Sequence, residues 1–142
     1  MSTSIFWIVP IASAIALFFA WLFYSGMMKN SEGTTRMAEI ASYVRQGAMA
    51  YLRRQYGVVV KVFIALAIIL TILAFLGVQN PFVPIAFLTG GFFSGLCGYL
   101  GMKTATNASA RTANGATKSL NSGLKIAFRS GAVMGYQIEV VD

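Results

Sequence analysis

The chain has 142 residues, of which 57% are hydrophobic and 11% are charged, and its mean hydropathy is +0.70. This composition excludes a soluble globular domain, because a chain of this length cannot bury so large an apolar fraction. Eleven Lys and Arg against four Asp and Glu give a formal net charge of +7. The cations are not interleaved with aromatic residues on a soluble surface, so we expect no nucleic-acid partner.

Three apolar runs predict membrane-spanning helices at residues 5–28, 57–78 and 82–102. Each run has about the 20 apolar residues that a helix needs to cross a bilayer. Trp7 and Trp21 stand near the two ends of the first run, where interfacial aromatic residues are expected. This run is predicted to be a retained span and not a signal peptide, because no positive charge precedes it and no cleavage site follows. The fold class is therefore all-α, with polytopic transmembrane helices.

The distribution of charge predicts the orientation in the membrane. Segments 29–56 and 103–129 each carry five Lys or Arg, whereas the N-terminal tail and the turn Gln79-Asn80-Pro81 carry none. By the positive-inside rule both basic segments are cytoplasmic, and the N-terminus and the turn lie outside. We expect an integral protein of the bacterial inner membrane.

Within segment 29–56, apolar residues such as Met37, Ile40 and Val44 recur at steps of three and four, which predicts an amphipathic helix. Thr34 or Thr35 is predicted to cap its start. Because no helix breaker except Gly57 separates this helix from the second span, the two are expected to form one long rod. Three roles stay open for it: packing against other helix ends, lying flat in the interface, or binding a soluble partner.

Glycine spacing predicts close helix packing. Gly91 and Gly95 form a small-xxx-small pair within the third span, and Gly131 and Gly135 form another in a fourth helix predicted over 123–136. Nine residues separate Arg129 from Glu139, too few to cross a membrane. We therefore expect a truncated fourth helix.

Four of the five cations of the basic segment 103–129 recur at steps of eight, seven and seven. They are Lys103, Arg111, Lys118 and Lys125. On a helix this spacing predicts one positively charged face. We expect a helix that continues from the third span to Ala113, a break at Asn114-Gly115, and a second helix toward Phe128. The charged face is expected to meet anionic lipid, with a phosphate-bearing ligand as the alternative.

Catalytic chemistry is not predicted from the residues present. The chain has no histidine, and its four carboxylates are Glu32, Glu39, Glu139 and Asp142. Metal-assisted phosphoryl chemistry needs several convergent carboxylates, and no predicted span carries an Asp or Glu at mid-membrane depth. The single cysteine, Cys97, is interpreted as a small buried apolar residue. We expect no catalytic, substrate-binding, ion-gate or metal site in this chain.

Three stretches resemble the N-terminal part of membrane-bound, ion-pumping inorganic pyrophosphatases. They are EIASYVRQGAMAYLRRQY (39–56), GYLGMKTATNASARTA (98–113) and AFRSGAVMG (127–135). The resemblance covers about residues 1–135. It departs mildly at the step Arg45-Gln46-Gly47-Ala48, where acidic-Gly-Ala is more usual, and strongly over Tyr136 to Asp142, where the family's fourth span continues apolar.

The resemblance implies homodimers of long helical subunits that hydrolyse magnesium pyrophosphate at the cytoplasmic face and drive protons or sodium ions outward. Magnesium is the implied cofactor, and potassium dependence and the choice of ion stay open. The family's catalytic and ion-gate motifs belong to later, inner-ring spans, and none matches a position here. The chain is thus predicted to be an inactive N-terminal fragment that provides outer-ring helices, with lipid and the remaining helices as partners. The alternative is a small non-enzymatic membrane subunit or scaffold that associates through its glycine faces.

Overall fold

The computed structural model describes residues 7–139, which form four helices and no strand within that range. The helices are α1 (Ile8–Met28), α2 (Thr35–Phe75), α3 (Val83–Lys118) and α4 (Leu120–Glu139). Helices α1, α2 and α3 are long and apolar enough to cross a membrane. The predicted all-α membrane fold is confirmed, and residues 5 and 6 of the first predicted run lie outside the described residues.

Helices α2 and α3 are much longer than a membrane is thick. They contain 41 and 36 residues, so they extend about 60 and 54 Å at 1.5 Å per residue. A bilayer core is about 30 Å thick, and each helix therefore continues for several turns beyond it. The amphipathic segment and the second span form one rod, as predicted.

The predicted break at Asn114-Gly115 is wrong, because α3 continues through both residues to Lys118. The chain instead breaks at Ser119, whose backbone is extended (φ −164°, ψ 150°) and whose hydroxyl accepts the Ser122 N–H at 3.1 Å. Packing explains the difference. A Cβ atom at Gly115 would lie 3.3 Å from the Cα of Gly123, so close contact with α4 offsets the weak helix propensity of Asn and Gly.

Helix α4 returns antiparallel along α3 after the one-residue break. Gly115 lies against Ile126 near the break and Gly101 lies against Met134 farther along. Helix α4 also packs on α1, whereas α2 packs against α3 alone among the four described helices. The order in space is therefore α1, α4, α3, α2.

The core lies where α1, α3 and α4 meet. Met27, Ala108 and Ile126 form its fully buried cluster, and Tyr24 packs against it. Most other large apolar side chains on α1 to α3 are exposed, for example Phe92 at 67%. Such surfaces are expected where helices meet lipid or further helices.

The start of α2 is fixed by its N-cap. The Thr34 hydroxyl accepts the Met37 N–H at 3.4 Å, so Thr34 and not Thr35 is the capping residue. Gly33, just before it, has a φ of +97°, a backbone conformation that favours glycine. This turn directs the α1–α2 loop back toward α3.

Candidate functional site

The α1–α2 loop, residues 29–34, is held against α3 by hydrogen bonds to its backbone. Arg111 donates from Nε to the Asn30 carbonyl at 3.0 Å, and Asn114 donates from Nδ2 to the Ser31 carbonyl at 3.1 Å. The Asn30 side chain in turn donates to the Gly26 carbonyl at the end of α1. Two side chains of α3 thus satisfy carbonyl groups that the loop would otherwise present to solvent.

Glu32, at the centre of this loop, is bound by two arginines from different helices. Arg45 of α2 lies 2.6 Å from its Oε1, and Arg111 of α3 lies 3.0 Å from the same oxygen. A second Arg45 N–H donates to Oε2 at 3.4 Å, so Arg45 addresses both carboxylate oxygens in the geometry that guanidinium groups favour. We refer to Glu32, Arg45 and Arg111 as the arginine–glutamate cluster.

The environment of the cluster favours the ionised form of Glu32. The hydrogen bond from Arg45 and the positive charges of Arg45 and Arg111 hold the pKa of Glu32 below its ordinary value, against an opposing effect of burial. The Arg111 side chain is 10% exposed and also donates to the Asn107 carbonyl at 2.6 Å. Its described partners are therefore a carboxylate and backbone carbonyls, which indicates a clamp between segments.

The prediction of one positively charged face on residues 103–125 is wrong. Arg111 is buried, whereas Lys103, Lys118 and Lys125 are exposed. Eight residues at about 100° each leave Lys103 and Arg111 about 80° apart around the axis of α3. The cations thus divide between a buried clamp and an exposed surface.

A second periodicity within α3 indicates that Arg111 is buried. Five of the buried residues of α3 recur at steps of three, four, three and four: Gly101, Thr104, Ala108, Arg111 and Gly115. This is the spacing of one packed helix face, and its other members are small. The small-residue face of α3 and the pairing of Glu32 with Arg45 were not among the predictions from the sequence.

The described residues do not fit a magnesium site. Among residues 7–139 no group of three or more His, Cys, Asp or Glu side chains is placed to hold a metal ion. The Glu32 carboxylate is bound by two guanidinium groups, and Glu39 is exposed and accepts the Tyr43 hydroxyl at 3.5 Å. The Glu139 side chain and Asp142 lie outside the described part of the chain. We derive no step through a metal from these residues.

The glycine face of the third span receives aromatic side chains from α2. A Cβ atom at Gly91 would overlap the ring of Phe63, and the Tyr56 hydroxyl donates to the Gly95 carbonyl at 2.6 Å. A close neighbour at Gly91 is thus confirmed, but it is a side chain. A Cβ atom at Gly95 would have no neighbour within 4 Å, so this pair of glycines does not bring two of the described helix backbones together. The faces of Gly131 and Gly135 are open in the described structure, since a Cβ atom at either would have no neighbour within 4 Å.

The fold and this site define a class of protein: a helical membrane protein whose long helices are joined beyond the membrane core by a partly buried ionic clamp. A family model described as inorganic H+ pyrophosphatase matches residues 14–141. The chain belongs to this family, and the resemblance of its three sequence stretches is confirmed.

Relatives of known name agree with this assignment. The chain is 64% identical over 136 residues to a Bacteroides thetaiotaomicron protein provisionally named a K(+)-stimulated pyrophosphate-energized sodium pump, covering 95% of this chain and 18% of that protein. It is 41% identical over 138 residues to K(+)-insensitive pyrophosphate-energized proton pump 2 of Moorella thermoacetica, covering 97% and 20%. It is 38% identical over 137 residues to the K(+)-stimulated pyrophosphate-energized sodium pump of Thermotoga maritima, covering 95% and 18%. The chain spans about one fifth of the length of these relatives.

Proposed function

We propose that this chain is the N-terminal part of a pyrophosphate-energised ion pump and that it contributes outer-ring helices and no catalytic group. One observation carries the second part of this proposal: Glu32, the carboxylate of the described site, is bound by Arg45 and Arg111. A carboxylate in that position neutralises arginines and is not free to hold a metal ion or activate water. Hydrolysis then requires carboxylates from other parts of the pump.

The proposed contribution of the chain is mechanical. The arginine–glutamate cluster ties the α1–α2 loop to both α2 and α3, although α1 and α2 do not pack on each other. Helices held in fixed positions in this way provide a surface on which further helices can pack. The open face at Gly131 and Gly135 suits such packing.

Several properties of the whole pump belong to the same proposal. The pump would be a homodimer in a bacterial inner membrane, with the N-terminus and the α2–α3 turn outside and segments 29–56 and 103–129 in the cytoplasm. It would use magnesium pyrophosphate as substrate, and the transported ion would be a proton or sodium. The names of the relatives include both K(+)-stimulated and K(+)-insensitive pumps. Activity is therefore to be measured with and without potassium.

A chimera tests the proposal. In the Bacteroides thetaiotaomicron relative, the segment that matches this chain is replaced by the chain itself, and pyrophosphate hydrolysis is assayed in membranes with and without magnesium and potassium. We expect the chimera to hydrolyse pyrophosphate and the 142-residue chain alone to show background activity. The unmodified relative and a chimera carrying the exposed substitution Glu39→Gln are the controls.

Two results would contradict the proposal. One is magnesium-dependent turnover by the purified chain that Glu32→Gln abolishes, which would place catalysis within these helices. The other is a chimera that accumulates in membranes at the level of the unmodified relative and yet has no activity. The second result would favour a separate subunit or scaffold that associates through its glycine faces.

A further inference from the structure

The groove between α2 and α3 holds two open cavities that meet end to end. The first has a volume of about 640 Å³, and its polar lining includes Gln46 and Arg53. The second has a volume of about 590 Å³ and is lined almost entirely by apolar side chains, among them Val60 and Phe92. Tyr56 and Tyr99 line both cavities, so the two form one continuous groove. Most of the lining of the first cavity is also apolar, but it contains Gln46 and Arg53, and we refer to it as the polar cavity and to the second as the apolar cavity.

The two tyrosines lie where the second predicted span begins, at residue 57, which is the level expected for interfacial aromatic residues. The apolar cavity therefore lies at the depth of lipid acyl chains, and the polar cavity lies at the depth of the headgroups. The Tyr56 hydroxyl donates to the Gly95 carbonyl at 2.6 Å, which holds α2 against α3 at this junction. A Cβ atom at Gly95 would have no neighbour within 4 Å, so the floor of the groove is open beside that bond.

We propose that this groove binds one phospholipid with an anionic headgroup. The headgroup phosphate lies beside the Arg53 guanidinium, whose forked donors suit phosphate oxygens, and the Gln46 amide supplies a further donor. One acyl chain follows the apolar cavity past Val60 and Phe92. No Asp or Glu is among the described residues that line the two cavities, so the charge of the groove is complementary to an anion.

The charge of Arg53 also argues against a neighbouring helix as the occupant. An apolar helix seated along the whole groove would cover Arg53 without offering an anionic partner, and burial of an unpaired charge is strongly unfavourable. A phospholipid matches both ends of the groove at once. This inference concerns lipid binding by the chain itself and does not depend on the pump assignment.

Native mass spectrometry of the 142-residue chain tests the proposal, with phosphatidylglycerol and phosphatidylcholine of identical acyl chains as probes. We expect the chain to retain phosphatidylglycerol about fivefold more strongly, the factor that one basic residue near an anionic headgroup provides. Arg53→Gln should remove this preference. Arg54→Gln is the matched control, because Arg54 is the next residue of α2, is exposed and does not line either cavity.

A second pair of variants tests the acyl-chain end. Val60→Trp should fill the apolar cavity and lower retention of both lipids. Val62→Trp should not, because Val62 is about as exposed as Val60 but lies outside the cavity lining. Photo-crosslinking of the wild-type chain with a phosphatidylglycerol that carries a diazirine in its acyl chain needs no substitution. We expect its adducts to concentrate on residues 59–63 and 88–96.

Three outcomes would overturn the proposal. The first is equal retention of the two lipids by the wild-type chain, or equal effects of Arg53→Gln and Arg54→Gln. The second is a set of adducts spread evenly over the exposed apolar faces of α1, α2 and α3, which is the pattern of general lipid contact. The third is a dimer of the chain that Val60→Trp dissociates while lipid retention is unchanged, which would make a second copy the occupant.

Discussion

Arg111 of α3 and Glu32 of the α1–α2 loop are 79 residues apart in sequence, and their guanidinium nitrogen and carboxylate oxygen lie 3.0 Å apart. Arg45 of α2 contacts the same carboxylate oxygen. The three residues link the α1–α2 loop to both α2 and α3, although α1 and α2 do not pack on each other. The position of this loop therefore depends on a few ionic groups.

Removal of the Arg111 side chain should be strongly destabilising. Arg111→Met would leave Glu32 with one partner and the Asn30 carbonyl with none of the donors described for it, and we expect a loss of about 3 kcal/mol in the free energy of unfolding. Equilibrium unfolding by dodecyl sulfate in mixed micelles, followed by circular dichroism, measures it. Lys118→Met is the control and should change the free energy by less than about 0.5 kcal/mol, because Lys118 is exposed. Equal effects of the two substitutions would contradict the clamp.

The contribution of Glu32 should depend on pH with a definite sign. Because its pKa is lowered in the folded chain, the unfolded chain binds the proton first as pH falls, and the stabilisation disappears through and below the ordinary glutamate pKa of about 4.3. The difference in unfolding free energy between wild type and Glu32→Gln should be constant from about pH 8 to 6 and should shrink below about pH 4. Glu39→Gln, at an exposed position, is the control for removal of a carboxylate. A difference that grows on acidification would refute the assigned contacts.

Substitution of two glycines of α4 by alanine should change the free energy of unfolding in opposite directions. A Cβ atom at Gly123 would lie 3.1 Å from the Ala116 backbone nitrogen, whereas one at Gly131 would meet nothing within 4 Å. Gly131→Ala should stabilise the helix by up to about 1 kcal/mol through its better propensity. Gly123→Ala should instead cost about 1 to 3 kcal/mol because it separates α3 from α4. Unfolding in mixed micelles compares the two, and a stabilised Gly123→Ala would show that the α3–α4 contact is looser than described.

The orientation can be tested with an impermeant thiol reagent in a Cys97→Ala background. Asn80→Cys, in the exposed turn between α2 and α3, should react in sealed cells. Thr117→Cys, near the end of α3, should react after permeabilisation, because the positive-inside rule places the basic segment in the cytoplasm. Wild-type expression and equal labelling of both variants in permeabilised cells are the controls. Labelling of Thr117→Cys in intact cells would reverse the proposed orientation.

The exposed lysines should affect membrane insertion more than substrate binding. With Arg111 buried, Lys103 and Lys118 are left as exposed cations on α3, and each contributes about 1 kcal/mol of attraction to anionic lipid near the surface. Replacement of both by Gln in the chimera should lower its yield in membranes and change the KM for pyrophosphate less than about twofold. A rise in KM of about tenfold at normal yield would instead place these lysines on the substrate path.

The sequence determined the helices themselves. Apolar runs of bilayer length predict the spans, because backbone polar groups in lipid must be satisfied within a helix, and the step from amphipathic segment to span predicts the long rod α2. The N-cap at Thr34 or Thr35 is likewise predicted from neighbouring residues, and the composition predicts a membrane protein. The stretches at residues 39–56, 98–113 and 127–135 were enough to predict the family.

Tertiary structure decided where the helices end and which charges are buried. Asn114 and Gly115 favour a break by propensity, yet α3 continues because Gly115 packs closely on Gly123 and Ile126. Arg111 shares a seven-residue rhythm with Lys118, yet it lies inward because its partner, Glu32, is supplied by a loop far away in sequence. A contact between segments adds free energy that no local pattern contains, and this energy exceeds the local preference of about 1 kcal/mol per residue.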